Sequence, residues 1–329
     1  MTMTGSMDNS SGLSEKIKSF ARSLGFCAVG IARAERLDGS SLDEWLRRGY
    51  HGEMAWMAVR RELRLDPAAL LPNAKSVIVC AMNYFTNRRP TTPTEGCISL
   101  YALGDDYHHV LKNLLRRLLD FIRAENPGVS GRICVDSAPI MEKAWAVRAG
   151  IGRRGKHSLL ISPQCGSWIF LGELIVDIEL DADASMENDP CGYCTACIEA
   201  CPTGAIVEPY VIDARRCISF LTVELKADRA HPPELAAKIG NRLYGCDACQ
   251  VVCPWNHRLA KETSEPAFRP RPELLHPNLE AWLKMRKEEF DLLFRNNPIR
   301  RIGLEALRRN ILTVLNTSSK MLLNGNAEN

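Results

Sequence analysis

The sequence predicts an α/β (α+β) N-terminal domain with a mixed sheet, followed by a small cysteine-rich domain and short C-terminal helices. Three observations carry this. Helical and strand periods alternate from residue 14 to residue 178. Eight of the 13 cysteines fall within the 63 residues from Cys191 to Cys253. After Pro254, a stretch rich in proline and charge gives way to two helical patterns.

The chain has 329 residues, 46% hydrophobic and 25% charged, which suffices for a buried core and for more than one domain. That balance excludes disorder and collagen-like repeats. No apolar run approaches the roughly 18 residues of a membrane span, and residues 1–12 are polar, so a disordered leader and a cytoplasmic protein are expected. Lys and Arg exceed Asp and Glu by only 42 to 39, so any polyanion site must be a local patch.

In chain order, Ile17, Phe20, Ala21 and Leu24 share one face of a helix over 14–24 that Gly25 stops. Strands follow over 26–31 and 76–81. A long helix spans 107–123, with Val110, Leu111, Leu114, Leu115, Leu118 and Ile122 inward. A short strand over 133–136 ends at Ser-Ala-Pro; then come a helix through Trp145, a glycine turn over 150–155, and strands over 158–162 and 167–178. Helices are expected over 214–225 and 233–243, a surface connection over 262–277, and final helices over 278–294 and 299–315. The domains so outlined are 13–185, 186–260 and 261–329.

Cys191-Gly-Tyr-Cys194-Thr-Ala-Cys197-Ile-Glu-Ala-Cys201-Pro202 matches the bacterial ferredoxin run Cys-x2-Cys-x2-Cys-x3-Cys-Pro at every fixed position. In that run three thiolates grip one cluster and the fourth serves a second, so a second run is required. Cys246-Asp-Ala-Cys249-Gln-Val-Val-Cys253-Pro254 supplies it, with Leu243 where the first cysteine would stand and Cys217 as the replacement. Crossed ligation puts Cys191, Cys194, Cys197 and Cys253 on one 4Fe-4S cluster, and Cys201, Cys217, Cys246 and Cys249 on the other. Zinc knuckles are the alternative, but zinc does not ask for two Cys-x3-Cys-Pro endings. The cysteine-rich segment is thus a bacterial ferredoxin-like 2x4Fe-4S domain. Cys27, Cys80, Cys97, Cys134 and Cys165 read as core or surface thiols.

Gly150-Ile-Gly152-Arg-Arg-Gly155 has dinucleotide-fingerprint spacing but follows a helix instead of a strand, so it reads as a tight turn. Asp106-Tyr-His108 begins like a motif that gives cobalamin a histidine ligand, yet Leu111 replaces its glycine, so His108 is not assigned as an axial ligand. Asp136 ends a strand against Ser-Ala-Pro, which suits a side chain projecting into a cleft as readily as a turn cap.

Several segments together resemble the cobalamin-dependent epoxyqueuosine reductases: Leu100-Tyr-Ala-Leu-Gly-Asp-Asp-Tyr-His-His, Val135-Asp-Ser-Ala-Pro with Glu142-Lys143, Gly155-Lys-His-Ser-Leu-Leu-Ile and Gly166-Ser-Trp-Ile-Phe-Leu-Gly-Glu-Leu. Arg216-Cys-Ile-Ser-Phe-Leu-Thr, Gly240-Asn-Arg-Leu-Tyr-Gly-Cys-Asp and Arg309-Asn follow in order. Arg153 stands where the family usually has tryptophan, and the chain resembles the short members without added helical repeats. The resemblance implies reduction of epoxyqueuosine to queuosine at the tRNA wobble position, through base-off cobalamin reduced by the second cluster. It implies Asp136 as general acid, with a pKa raised by burial under the corrinoid. Arg64, Ser99, Asp136, Leu160, Leu171, Ser219 and Asp247 would contact cobalamin, and Lys143, Lys156 and His157 the substrate nucleotide. The implied partners are an epoxyqueuosine-bearing tRNA anticodon stem-loop and an external one-electron donor such as a ferredoxin or flavodoxin. A monomer without membrane contact is expected. Arg295, Arg300, Arg301, Arg308 and Arg309, extended by Arg215-Arg216 and Arg153-Arg154, form the candidate tRNA patch. A corrinoid-dependent reductive dehalogenase and a ferredoxin-type electron carrier are the alternatives; some 190 residues before the clusters argue against the carrier.

Overall fold

The computed structural model describes residues 7–87, 96–186 and 188–325. Its main sheet has four strands in the order β1-β2-β7-β4: β1 (Ala28–Arg33), β2 (Ser76–Asn83), β7 (Ile169–Val176) and β4 (Gly131–Cys134). Every neighbouring pair is antiparallel, so the expected mixed sheet is corrected. The reason is insertion: β2 and β4 run the same way, joined through the helix Tyr107–Glu125, but β7 slots between them in the opposite sense.

Alternation along the strands feeds two cores. On one face Phe170, Leu174 and Val176 of β7 meet Ile78 and the helices Met7–Ser23 and Tyr107–Glu125, through Ile17, Ala21, Leu111, Leu115 and Leu118. On the other, Leu171 and Ile175 meet Val79, Ala81 and Trp145 of the helix Glu142–Arg148. That helix ends hard against β1: a Cβ on Gly30 would lie 2.0 Å from the carbonyl oxygen of Ala149, so only glycine allows the approach. The second face also holds a finding the sequence did not announce. Cys27 and Cys165, read as free thiols, are paired as a disulfide across 138 residues, because the sheet brings the start of β1 beside the turn before β7.

Small strand pairs complete the topology: β5 (Arg153–Arg154) with β6 (Leu160–Ile161), β8 (Ile206–Glu208) with β9 (Val211–Ile212), and β3 (Cys97–Ile98) in parallel with β10 (Arg242–Tyr244). The last pair corrects the helix expected over 233–243. It closes at Ile239, Gly240 adopts φ +63°, and Leu243 is buried in β10. Residues 262–277 are not merely a surface connection, since Phe268 and Leu274 enter the main core. The helix expected over 278–294 breaks at Met285 into Leu279–Lys284 and Lys287–Leu293. The last helix, Gly303–Gly325, sends Leu307, Ile311 and Val314 into the same core. Of the expected leader, residues 1–6 lie outside the described residues, whereas 7–12 are the first turns of the helix Met7–Ser23. Among the described residues no helix is long and apolar enough to cross a membrane.

Candidate catalytic and iron-sulfur sites

Asp136 lies two residues past β4, with φ +43°, a left-handed conformation uncommon for any residue but glycine. Two contacts hold it there. Its backbone N–H donates to Glu142 Oε1 at 2.6 Å, and its Oδ2 lies 3.0 Å from His108 Nε2. His108 is aimed by Asp106, the N-cap of the helix Tyr107–Glu125, which accepts from the His108 N–H at 3.0 Å and lies 2.6 Å from His108 Nδ1. The result is a chain Asp106–His108–Asp136.

The electrostatics of the chain's own residues pull Asp136 the other way from burial. Burial would raise the Asp136 carboxyl, but 53% of its side chain faces open space, and the hydrogen bond and charge of His108 hold it below the usual carboxylate range. Burial works against a charged His108, yet Asp106 and Asp136 push its pKa up to about 9. At neutral pH the proton of this pair therefore rests on the imidazole. Burial and the charge of Asp136 push Glu142 up to about 7. Arg64 is buried, its Nε has no partner among the described residues, and its guanidinium lies over the Trp56 ring at 4.9 Å. Burial lowers its pKa, while Asp136 and Glu142 attract its charge.

The expected corrinoid contacts fall in two groups. Arg64, Asp136, Leu160 and Leu171 belong to the catalytic side, and Leu160 and Leu171 are buried in the second core. Ser99, Ser219 and Asp247 belong to the second-cluster side. The Ser99 hydroxyl donates to Asp247 Oδ1, and the Leu100 N–H donates to Asp247 Oδ2 at 2.9 Å. Ser219 opens the helix Ile218–Val223, whose N-cap is Cys217. Tyr107, Tyr101 and Tyr244 bridge the groups, with ring centroids 6.3 and 5.8 Å apart. A buried guanidinium nitrogen without a partner among the described residues, over the Trp56 ring, fits an amide-fringed macrocycle.

Cys191, Cys194, Cys197 and Cys253 line one cavity of about 120 Å³ with His157, Pro190, Pro254 and Trp255. Cys217 lies within electrostatic reach of Cys201 and Cys246, and Cys249 within reach of Cys246 and Cys217. The thiols thus gather in the two groups that crossed ligation expects, with Cys249 also within reach of Cys197 of the first group. The Cys191 and Cys201 sulfurs accept backbone N–H groups from Lys156 at 3.4 Å and Ala205 at 3.2 Å.

Of the expected substrate contacts, Lys143 is exposed beside Glu142. Lys156 and His157 lie on the segment beside the first thiol set, with His157 within electrostatic reach of Lys143. The Lys156 ammonium donates to the carbonyls of Gly192 and Cys194 at 2.6 and 2.9 Å, and His157 lines the first cluster cavity, where burial and then the Lys143 charge push its pKa down to about 4. The arginine patch is also largely committed. Arg309 donates to the carbonyls of Leu225, Lys226 and Arg229, Arg308 to those of Leu283 and Met285, and Arg301 pairs with Glu224 at 2.6 Å. Sequence reasoning missed His108 as a partner of Asp136. The only signal was its place, two residues after the helix-capping Asp106.

Fold and site together define a class: a redox protein that joins an α+β catalytic unit to a pair of clustered-thiol sites. Residues 190–256 match the family model "4Fe-4S double cluster binding domain", and residues 64–137 match "Epoxyqueuosine reductase QueG, DUF1730". The epoxyqueuosine reductase of Cellulophaga algicola is 44% identical over 91% of this chain and 96% of its own, and that of Escherichia coli 45% over 92% and 80%. An epoxyqueuosine reductase solved with an epoxyqueuosine-modified tRNA-Tyr stem loop superposes with a TM-score of 0.84 at 35% identity, covering 92% of this chain and 81% of the other. The Bacillus subtilis epoxyqueuosine reductase, with its catalytic aspartate loop swung out of the active site, gives 0.82 at 34% identity, with coverages of 92% and 81%. This chain belongs to the epoxyqueuosine reductase family.

Proposed function

We propose that this protein reduces epoxyqueuosine in tRNA to queuosine at the wobble position, the last step of queuosine biosynthesis. The observation that carries the reading is the Asp106–His108–Asp136 chain, which ends at a carboxyl whose side chain is half exposed. Cys191, Cys194, Cys197 and Cys253 hold one 4Fe-4S cluster, and Cys201, Cys217, Cys246 and Cys249 the other. Arg64, Ser99, Asp136, Leu160, Leu171, Ser219 and Asp247 hold base-off cobalamin. When bound, that group supplies a strongly reducing, nucleophilic cobalt.

The chain's own part is proton delivery. Opening an epoxide creates an alkoxide, which must be protonated as the carbon–oxygen bond breaks. Asp136 sits at the cleft mouth, and His108 holds the proton that Asp136 passes on. Lys143 meets the nucleotide, while Lys156 and His157 serve the loop around the first cluster. The partners are the epoxyqueuosine-bearing anticodon stem-loop and an external one-electron donor such as a ferredoxin or flavodoxin. The chain acts as a cytoplasmic monomer, divided at 13–185, 186–260 and 261–329. The dehalogenase alternative gains no support, since a catabolic reductive dehalogenase overlays with a TM-score of only 0.46 at 17% identity.

The test is an anaerobic count of iron, sulfide and cobalt, followed by reaction of the chemically reduced protein with an epoxyqueuosine stem-loop and nucleoside mass spectrometry. Eight irons, bound cobalt and queuosine as product are expected. Zinc as the only metal, or no conversion by fully loaded protein, would overturn the reading.

A further inference from the structure

One nitrogen beside the first thiol set is buried to no purpose of packing. His157 is 1% exposed, and its Nε2 has no hydrogen-bond partner among the described residues. A buried polar atom left in that state calls for an explanation, since nothing offsets its loss of water. The other ring nitrogen fixes the tautomer. Nδ1 accepts the Leu159 N–H at 3.2 Å, so the proton of the neutral ring stands on Nε2, which is a donor. A ring in this state does not ligate iron, because the nitrogen with a free lone pair is the one spent on Leu159.

The backbone around His157 is fixed from both sides. On the turn joining β5 to β6, the Gly155 N–H donates to the Leu159 carbonyl at 2.8 Å and the Lys156 carbonyl accepts the Tyr210 N–H at 3.0 Å. The Ser158 hydroxyl donates to the Tyr210 carbonyl at 2.6 Å and holds Ser158 at φ +62°, a conformation serine seldom adopts. A Cβ on Gly155 would lie 2.9 Å from His157 Cε1, so the ring is laid where glycine leaves room for it. The ring lines the cavity that holds the four cysteines of the first set. Of the other residues lining it, Pro190 and Pro254 have no N–H, and the Trp255 indole N–H is already given to the Pro190 carbonyl at 2.7 Å. Among these side chains only His157 keeps an uncommitted donor.

We propose that His157 Nε2–H donates a hydrogen bond to a sulfur of the first 4Fe-4S cluster and so raises that cluster's reduction potential independently of the second. The inference rests on the assignment of Cys191, Cys194, Cys197 and Cys253 to one cluster. Reduction adds one electron, whose charge spreads over the thiolate and sulfide sulfurs; no proton moves and no bond breaks. A donor fixed beside a sulfur stabilises the reduced cluster more than the oxidised one. The Lys156 N–H acts in the same sense on Cys191 Sγ at 3.4 Å, so two adjacent residues of one turn serve one cluster. The turn thereby sets how readily the first cluster takes an electron, without altering an iron ligand.

The test is an anaerobic potentiometric titration of the cluster-loaded protein, followed by electron paramagnetic resonance, on the parent, His157→Leu and His157→Gln. Leucine fills the space of the ring without a donor, whereas the glutamine amide nitrogen stands near the place of Nε2. His157→Leu should make reduction of the first cluster about tenfold less favourable, about 59 mV for one electron, with the second cluster unmoved and His157→Gln close to the parent. A first-cluster potential in His157→Leu equal to the parent's, or an equal shift in both clusters, overturns the proposal. Should His157→Leu lose iron, the parent carries the test by itself. With nitrogen-15 histidine, electron–nuclear double resonance on the reduced first cluster should show a weak nitrogen coupling and an exchangeable proton. Absence of the nitrogen coupling makes a buried water the donor, and a strong one makes His157 an iron ligand; either result overturns the proposal. If the parent does not load about eight irons, the cluster assignment fails first, before any variant is compared.

Discussion

Replacing Asp136 by asparagine removes its charge and its capacity to carry a proton, and changes little else. The φ of +43° at this position is one that asparagine tolerates better than most residues, so the loop keeps its shape. The backbone N–H still reaches Glu142 and the amide oxygen still faces His108. A positioned general acid contributes roughly 10²–10⁴ in rate, or about 2.7–5.4 kcal/mol of barrier. Single-turnover reduction of an epoxyqueuosine stem-loop by pre-reduced protein should slow by that factor, with both clusters and cobalamin retained. His108 would lose one of its two carboxylate partners, so its pKa should fall from about 9 toward the ordinary range, which a proton NMR titration of the ring reports. Turnover at the parent rate removes Asp136 from the chemistry. Loss of cobalamin instead makes it a binder, and lowered stability with normal activity per folded molecule makes it a turn cap. Asp136→Ala is the poorer experiment, because a left-handed alanine adds about 1–2 kcal/mol of backbone strain.

Cys217→Ala should abolish the electron paramagnetic resonance signal of one cluster and spare the other; equal loss of both would refute the crossed assignment. His108→Gln should cost at most about 3 kcal/mol below about pH 6.5, and the difference from the parent should vanish as pH rises through about 9, because a raised histidine pKa stabilises only while the folded ring keeps its proton. A difference that stays constant with pH in denaturant melts would contradict the Asp106–His108–Asp136 chain. Arg295→Glu with Arg300→Glu should weaken stem-loop binding and flatten its salt dependence, since both are exposed and neither caps carbonyls as Arg308 and Arg309 do. Unchanged affinity in a gel shift would place the RNA surface elsewhere.

The cysteine sets were legible because metal ligation is a local rule of spacing: even the gap at Leu243 pointed to Cys217. The main strands and the long helix of the first domain were legible from periodicity, whereas the first helix starts at Met7 instead of residue 14 and the short helices Ser40–Arg47, Trp56–Val59 and Arg61–Leu65 were not read. What could not be read was anything fixed by chain-distant partners. The slot between β2 and β4 is filled by a strand that arrives 35 residues after β4 ends, so the sheet's sense was wrong while its strands were right. The same holds for Cys27 and Cys165. Within the site, Asp136 was singled out from its position after a strand, but its partner was not, because His108 lies 28 residues away. The arginine pairs hid a structural duty, binding carbonyls at helix ends, behind a charge count.

Asp247 sits between two thiols of the second set and grips Ser99 and Leu100, next to where β3 lies along β10. One loop thereby has two tenants: the segment that presents Cys246 and Cys249 is also the peg on which the Ser99 turn hangs. The thiols and that turn therefore cannot vary independently, and a change on either side of Asp247 is felt on the other.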